Sequence, residues 1–216
     1  MSIKVLILED NPVTRSFLAR VVNESFSDVS DIIEVADLAS ARTELRVTSS
    51  PFQMILLDLE LPDGSGLELL RELSNSQAMC IVTTLYADDE QLLPAIQSGA
   101  DGYLLKENRF EVLVEDLQKI VRGQLPLSPA LARSLLHHCR SSESALPQQA
   151  GTTQTGLANA QGAACAPLNS RETDVLTYVS KGFTIKEMAS LMGIKWFTVN
   201  DHMKSIYKKV SGRQSD

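Results

Sequence analysis

The chain has 216 residues, 44% of them hydrophobic, enough for two packed domains, and a formal net charge of -7. No apolar run approaches the roughly 20 residues that span a bilayer, and MSIKVLILED carries no basic segment ahead of its short hydrophobic stretch, which excludes a membrane protein or a secretory leader and leaves a cytoplasmic location as the expectation. Cys80, Cys139 and Cys165 are odd in number and far apart, and His137, His138 and His202 add no ligand spacing, which excludes a disulfide framework and a zinc site.

In chain order, IKVLIL is a continuous apolar run and predicts a strand buried on both faces. Asn11 and Pro12 then supply a helix cap and a first-turn proline ahead of VTRSFLARVVNE. The alternation repeats through strand DIIEVA, helix LASARTELRV, strand QMILLD, helix GLELLRELS, strand CIVTT, helix DEQLLPAIQSG, strand GYLL and helix FEVLVEDLQKIVRG. Strands alternating with helices in this way predict a doubly wound parallel sheet, whose ligands sit at the carboxyl ends of the strands. Glu9 and Asp10 follow the first strand, Asp58 and Thr84 end the third and fourth, and Lys106 follows the fifth, so all five are expected on one rim. Three carboxylates gathered there repel one another unless a cation sits between them, and oxygen ligands suit Mg²⁺. Lys106 adds a positive charge and Thr84 a hydroxyl, the groups that grip phosphoryl oxygens. Asp58 alone reads as a helix cap; in that company it is the expected nucleophile for an aspartyl-phosphate.

Residues 3–121 resemble the receiver domain of two-component response regulators, through ED (Glu9, Asp10), LLDLELPDGSG (Asp58), CIVTT (Thr84) and GADGYLLK (Tyr103, Lys106). The resemblance implies a flavodoxin-like α/β fold over residues 1–123 with strand order 2-1-3-4-5. It implies that Asp58 accepts a phosphoryl group from a sensor histidine kinase. Mg²⁺ would be held by Asp10, Asp58 and the backbone carbonyl of Glu60, with Glu9 acting mainly through water. Thr84 and Lys106 would turn toward the phosphoryl oxygens while Tyr103 rotates inward, coupling the site to the surface around the fourth helix. Pro62 and Gly64 would shape a loop over the site, with Gly66 opening the next helix. Glu60 and Tyr86 stand at positions that tune phosphate lifetime. Leu85 replaces a usually small residue and is expected to narrow access. Pro94 falls inside the predicted fourth helix, where proline costs about 3 kcal/mol or kinks the chain.

Residues 124–167 predict one short helix from Pro129 and then SSESALPQQAGTTQTGLANAQGAACAP, which has no apolar period and is expected to be flexible. The charge changes sign across this tether: residues 1–123 carry 10 Lys and Arg against 21 Asp and Glu, and residues 168–216 carry 8 against 5. Asn169 with Glu172 and Thr184 with Glu187 have cap-box spacing and predict two helices. After Gly193-Ile194-Lys195 a third is expected from about Trp196 to Val210, the layout of a helix-turn-helix.

Residues 168–216 resemble the LuxR-type domain of NarL/FixJ-type regulators, through NSRETDVL, KGFTIKEMASLMGI and TVNDHMKSIYKKV. The resemblance implies a major-groove helix with Thr198, Asn200 and Lys204 toward DNA and Lys208 and Lys209 near phosphates. Asn200 stands where lysine is usual and Asp201 adds an acid, which redirects specificity, since asparagine pairs with adenine. Lys195 replaces a capping Ser or Thr, a loss of about 1 kcal/mol. Trp196 and Phe197 occupy two usually exposed positions and are expected to pack on the linker, on a partner or, the preferred reading, into the core. Little chain follows Val210 to build the usual last helix, so a homodimer has to pair through the receiver, pair elsewhere, or not form.

The expected function is a phosphorylation-controlled transcriptional regulator binding promoter DNA, with no membrane partner and no enzymatic turnover. A phosphatase needs its nucleophile on the first strand and a substrate cap, which this pattern lacks. Output through protein binding, and a small ligand acting in place of phosphate, stand as alternatives.

Overall fold

A computed structural model of the chain describes residues 3–47, 51–74, 76–85, 89–124, 127–143 and 167–211. The first part runs β1 (Ile3–Leu8), α1 (Pro12–Ser25), β2 (Val29–Val35), α2 (Leu38–Val47), β3 (Met54–Asp58), β4 (Glu60–Leu61), β5 (Gly64–Ser65) and α3 (Gly66–Glu72). It continues through β6 (Met79–Thr84), α4 (Asp89–Gln97), β7 (Gly102–Leu105) and α5 (Phe110–Val121). Then come α6 (Pro129–Glu143), α7 (Ser170–Ser180), α8 (Ile185–Met192) and α9 (Trp196–Ser211).

Five strands pair in parallel in the order β2-β1-β3-β6-β7. This is the predicted 2-1-3-4-5 order once the short β4-β5 hairpin is set aside. The hairpin lies in the Pro62-Asp63-Gly64 loop, too short for a periodic signal to reveal it. Helix α1 begins as expected: the Asn11 side chain accepts from the backbone N–H groups of Val13 and Thr14.

Because β1 and β3 are apolar on both faces, the sheet carries two cores. Val5, Ile7 and Leu56 pack with Leu18 and Val22 of α1 and Leu113 and Leu117 of α5. On the other face, Leu6, Leu8 and Leu57 pack with Leu38, Leu69 and Leu92. This second core does not stop at the sheet. It continues through Leu131 and Leu135 of α6 into Val175, Met188, Val199, Met203 and Ile206 of the C-terminal helices. Helix α4 touches both α6 and α9, and α6 lies along α7, where Arg133 donates to the Ser180 carbonyl at 3.1 Å.

Pro94 sits inside α4, which starts at Asp89 as predicted, so the helix carries an interior proline. Helix α6 extends to Glu143, into the first residues of the stretch expected to be flexible; the rest of that stretch, residues 144–166, lies outside the described residues, as does Tyr86. Among the described residues, no helix is long and apolar enough to cross a membrane.

Candidate functional site

The sheet register builds the rim. Leu8 pairs with Leu57, so the next residues, Glu9 and Asp58, emerge side by side, with Asp10 one step further. The Lys106 N–H donates to the Thr84 carbonyl at 2.8 Å, extending the β6–β7 ladder by one residue and carrying the lysine to the same edge. Ligand oxygens of Glu9, Asp10 and Asp58 all lie within 4.8 Å of one another. The Lys106 Nζ reaches between them, 2.6 Å from Glu9 Oε2 and 2.5 Å from Asp58 Oδ2. The sequence-predicted carboxylates and lysine therefore do meet.

Glu9 is the electrostatically uncomfortable member. Burial raises its pKa above the ordinary value, the Lys106 ammonium opposes this, and the nearby Asp58 charge raises it further. Three acids and one lysine leave a formal charge of -2 when all are ionised, a hard oxygen donor set that fits a divalent cation such as Mg²⁺.

The surrounding loops hold this rim. Arg15 donates to the backbone carbonyls of Glu9 at 2.6 Å and Asp10 at 3.3 Å, fixing the turn after β1. At Gly66 an added Cβ would come within 2.1 Å of the Asp58 carbonyl oxygen, so only glycine lets α3 start this close to the third strand. Asp63 is a residue that sequence reasoning missed. Its carboxylate accepts from the backbone N–H groups of Leu38 and Ala39 at 2.9 and 3.0 Å, tying the loop to the start of α2. The Leu38 N–H chiefly holds its carboxyl below the ordinary value. Nothing in local sequence signals a cap donated from 25 residues away.

Above the rim lies an open cavity of about 710 Å³, walled by Asp10, Asp58, Glu60 and Lys106, with Leu85 also on its wall and half exposed. Thr84 and Tyr103 are buried and are not on its wall.

The C-terminal helices start where predicted. Asn169–Glu172 and Thr184–Glu187 both form complete capping boxes. Helix α9 turns Val199, Met203, Ile206 and Val210 into the helical core. On the neighbouring stripe Lys204 and Tyr207 face the α/β part, with Asn200 one turn before Lys204. The Lys204 side chain lies so close over Gly123 that an added Cβ there would sit 2.1 Å from Lys204 Cε. Tyr207 is buried near Tyr103, and burial first, then Tyr103, pushes its hydroxyl pKa well above the ordinary value. Asn200 is 6% exposed, and its buried Oδ1 has no hydrogen-bond partner among the described residues.

Two expectations for this helix need correction or relocation. Trp196 and Phe197 are not core residues; both are half exposed, because Ile194 in the turn fills the core edge and the first turn of α9 extends past it. Lys209 donates to buried Glu172 at 2.7 Å and to the Pro167 carbonyl at 3.2 Å, so its ammonium is engaged within the C-terminal helices. Thr198 is partly buried and Lys208 exposed. Nothing in local sequence signals that Tyr207 is buried near Tyr103.

Residues 5–118 match the response regulator receiver domain family, and residues 166–213 match the luxR family of bacterial regulatory proteins. The transcriptional regulatory protein LiaR of Bacillus subtilis (strain 168) is 30% identical over 213 residues, covering 96% of this chain and 90% of that protein. The nitrate/nitrite response regulator protein NarL of Escherichia coli (strain K12) is 28% identical over 209 residues, covering 95% of this chain and 88% of that protein. Among solved structures, the RcsB response regulator of Salmonella typhimurium shares the fold with a TM-score of 0.52 at 19% identity, covering 100% of this chain and 94% of that one.

Proposed function

This chain belongs to the NarL/LuxR family of two-component response regulators, DNA-binding transcription factors, and from that premise we propose that Asp58 takes a phosphoryl group from a sensor histidine kinase and thereby releases α9 to bind promoter DNA. The observation that carries this reading is the Lys106 ammonium shared between Glu9 and Asp58 beside Asp10. A lysine already placed at the nucleophile pairs readily with an incoming phosphoryl oxygen.

In the transfer, an Asp58 carboxylate oxygen bonds to phosphorus, the bond from phosphorus to the kinase's imidazole nitrogen breaks, and the imidazole leaves protonated. Asp10, Asp58 and the Glu60 backbone carbonyl would hold Mg²⁺, with Glu9 acting mainly through water, and the ion would supply charge neutralisation for the transfer. The Thr84 hydroxyl and Lys106 then hold the transferred group. As Thr84 moves toward the site, Tyr103 turns into the space behind it and withdraws from Tyr207. That loss loosens the face of α9 bearing Asn200 and Lys204 from the α/β part, and it uncovers α4, where a homodimer has a surface on which to form. Thr198, Asn200 and Lys204 then meet DNA, and Lys208 meets a phosphate.

The test is Mg²⁺-dependent labelling by a small phosphodonor, comparing wild type with Asp58→Ala, followed by DNA binding of each form. The expected result is labelling of wild type alone and tighter, steeply salt-sensitive binding after labelling. Equal labelling of both proteins, or binding indifferent to labelling, refutes the reading.

A further inference from the structure

The first turn of α9 carries the most unusual surface of the C-terminal helices. Trp196 is 53% exposed and Phe197 48% exposed. Their rings meet edge to face, with centroids 6.1 Å apart, and the Lys195 ammonium stands 5.5 Å from the Phe197 centroid. Two large aromatic side chains left in water are not explained by packing, because the apolar stripe of this helix is already complete at Val199, Met203, Ile206 and Val210.

Their position says what they meet. In a helix-turn-helix the N-terminal residues of the recognition helix contact base edges in the major groove. The apolar feature that base edges offer there is the C5 methyl group of thymine. Lys195, next to the pair, supplies the charge that holds this end of the helix against phosphates. Asp201 lies one turn after Phe197 and is exposed, and an acid on that stripe is repelled by phosphates, which leaves base edges as the stripe's target. Asn200 lies one turn after Trp196, about 6 Å along the helix, and its amide is suited to adenine.

We propose that Trp196 and Phe197 read thymine methyl groups, so that this regulator selects operators with thymine under the first turn of α9 and an adenine close by. The proposal rests on the DNA-binding role of the helix-turn-helix but not on how phosphorylation controls it.

The experiment uses the full chain, with and without phosphodonor and Mg²⁺. Duplexes are selected from a random pool, and each thymine of the winning sequence is then replaced by deoxyuridine, which removes only the methyl group. Wild type is expected to lose on the order of fivefold in affinity at one or two positions. Trp196→Ser with Phe197→Ser is expected to bind thymine and uracil duplexes equally while retaining its salt dependence and helical circular dichroism. Phe197→Leu is expected to restore part of the discrimination. Equal wild-type affinity for thymine and uracil duplexes overturns the proposal and leaves DNA binding intact. Absence of binding to any duplex in either state overturns the DNA-binding premise with it. If the double substitution changes self-association in sedimentation but not the thymine-to-uracil ratio, the pair belongs to a protein contact and the proposal fails.

Discussion

Two buried glutamates in this protein each meet a lysine, and their surroundings push them in opposite directions. Glu172 accepts from Lys209 at 2.7 Å, from Ser205 at 2.7 Å and from the Asn169 N–H at 2.8 Å. Burial raises its pKa, but these donors outweigh burial and hold the carboxyl below its ordinary value. Glu9 shares its lysine with Asp58 and lies within reach of a third carboxylate, and its pKa is raised. The first cluster is electrostatically complete and joins α7 to α9. The second holds more negative charge than its lysine can balance, which is how an acidic pocket suited to a cation differs from a structural ion pair.

Substitutions can break or sharpen that contrast. The largest effect is expected at Asp58: changing it to Ala abolishes labelling by a phosphodonor, yet relieves crowding, so urea unfolding shows stability within about 1 kcal/mol of wild type. A large loss of stability there would make Asp58 a structural acid. Next comes Glu172→Gln, which leaves Lys209 without its buried partner and is expected to cost about 2 to 4 kcal/mol in the same assay. The pH sign follows from its lowered pKa. The stabilisation is present above the unfolded value near 4.5 and is lost as pH falls through the folded value, so acid should destabilise wild type more than the variant.

The same replacement at Glu9 is expected to act oppositely: stability stays within about 1 kcal/mol of wild type, on the stabilising side. Thermal-shift titration should show Mg²⁺ binding weakened about tenfold. A Glu9 variant destabilised as strongly as the Glu172 one would erase the distinction. Smallest is Gly123→Ala. The residue has φ +75°, so alanine is expected to cost about 1 kcal/mol of overall stability in urea unfolding, while the flexible end of the Lys204 side chain shifts aside. That strain is local to the end of α5, so DNA binding by the unlabelled protein should stay within about twofold of wild type in a gel shift.

Much of this was legible along the chain. The apolar runs ending in Glu9, Asp58 and Thr84 predicted both the strands and the rim, because in a parallel sheet every strand presents its carboxyl end on the same edge. The two capping boxes were legible because each lies within four residues. The Asp63 cap on α2, the Lys209–Glu172 pair and the nearness of Tyr103 to Tyr207 were not, since each joins positions far apart in sequence.

The sequence by itself determined the sheet, its polar rim, the caps and the helix-turn-helix layout, because these depend on periodicity, strand direction and local hydrogen bonds. Only the tertiary structure decided that Asn200 is covered, that Lys209 is engaged and that Trp196 and Phe197 stand in water. Periodicity tells a helix how much of its surface to bury, but which other element does the burying depends on how the whole chain packs.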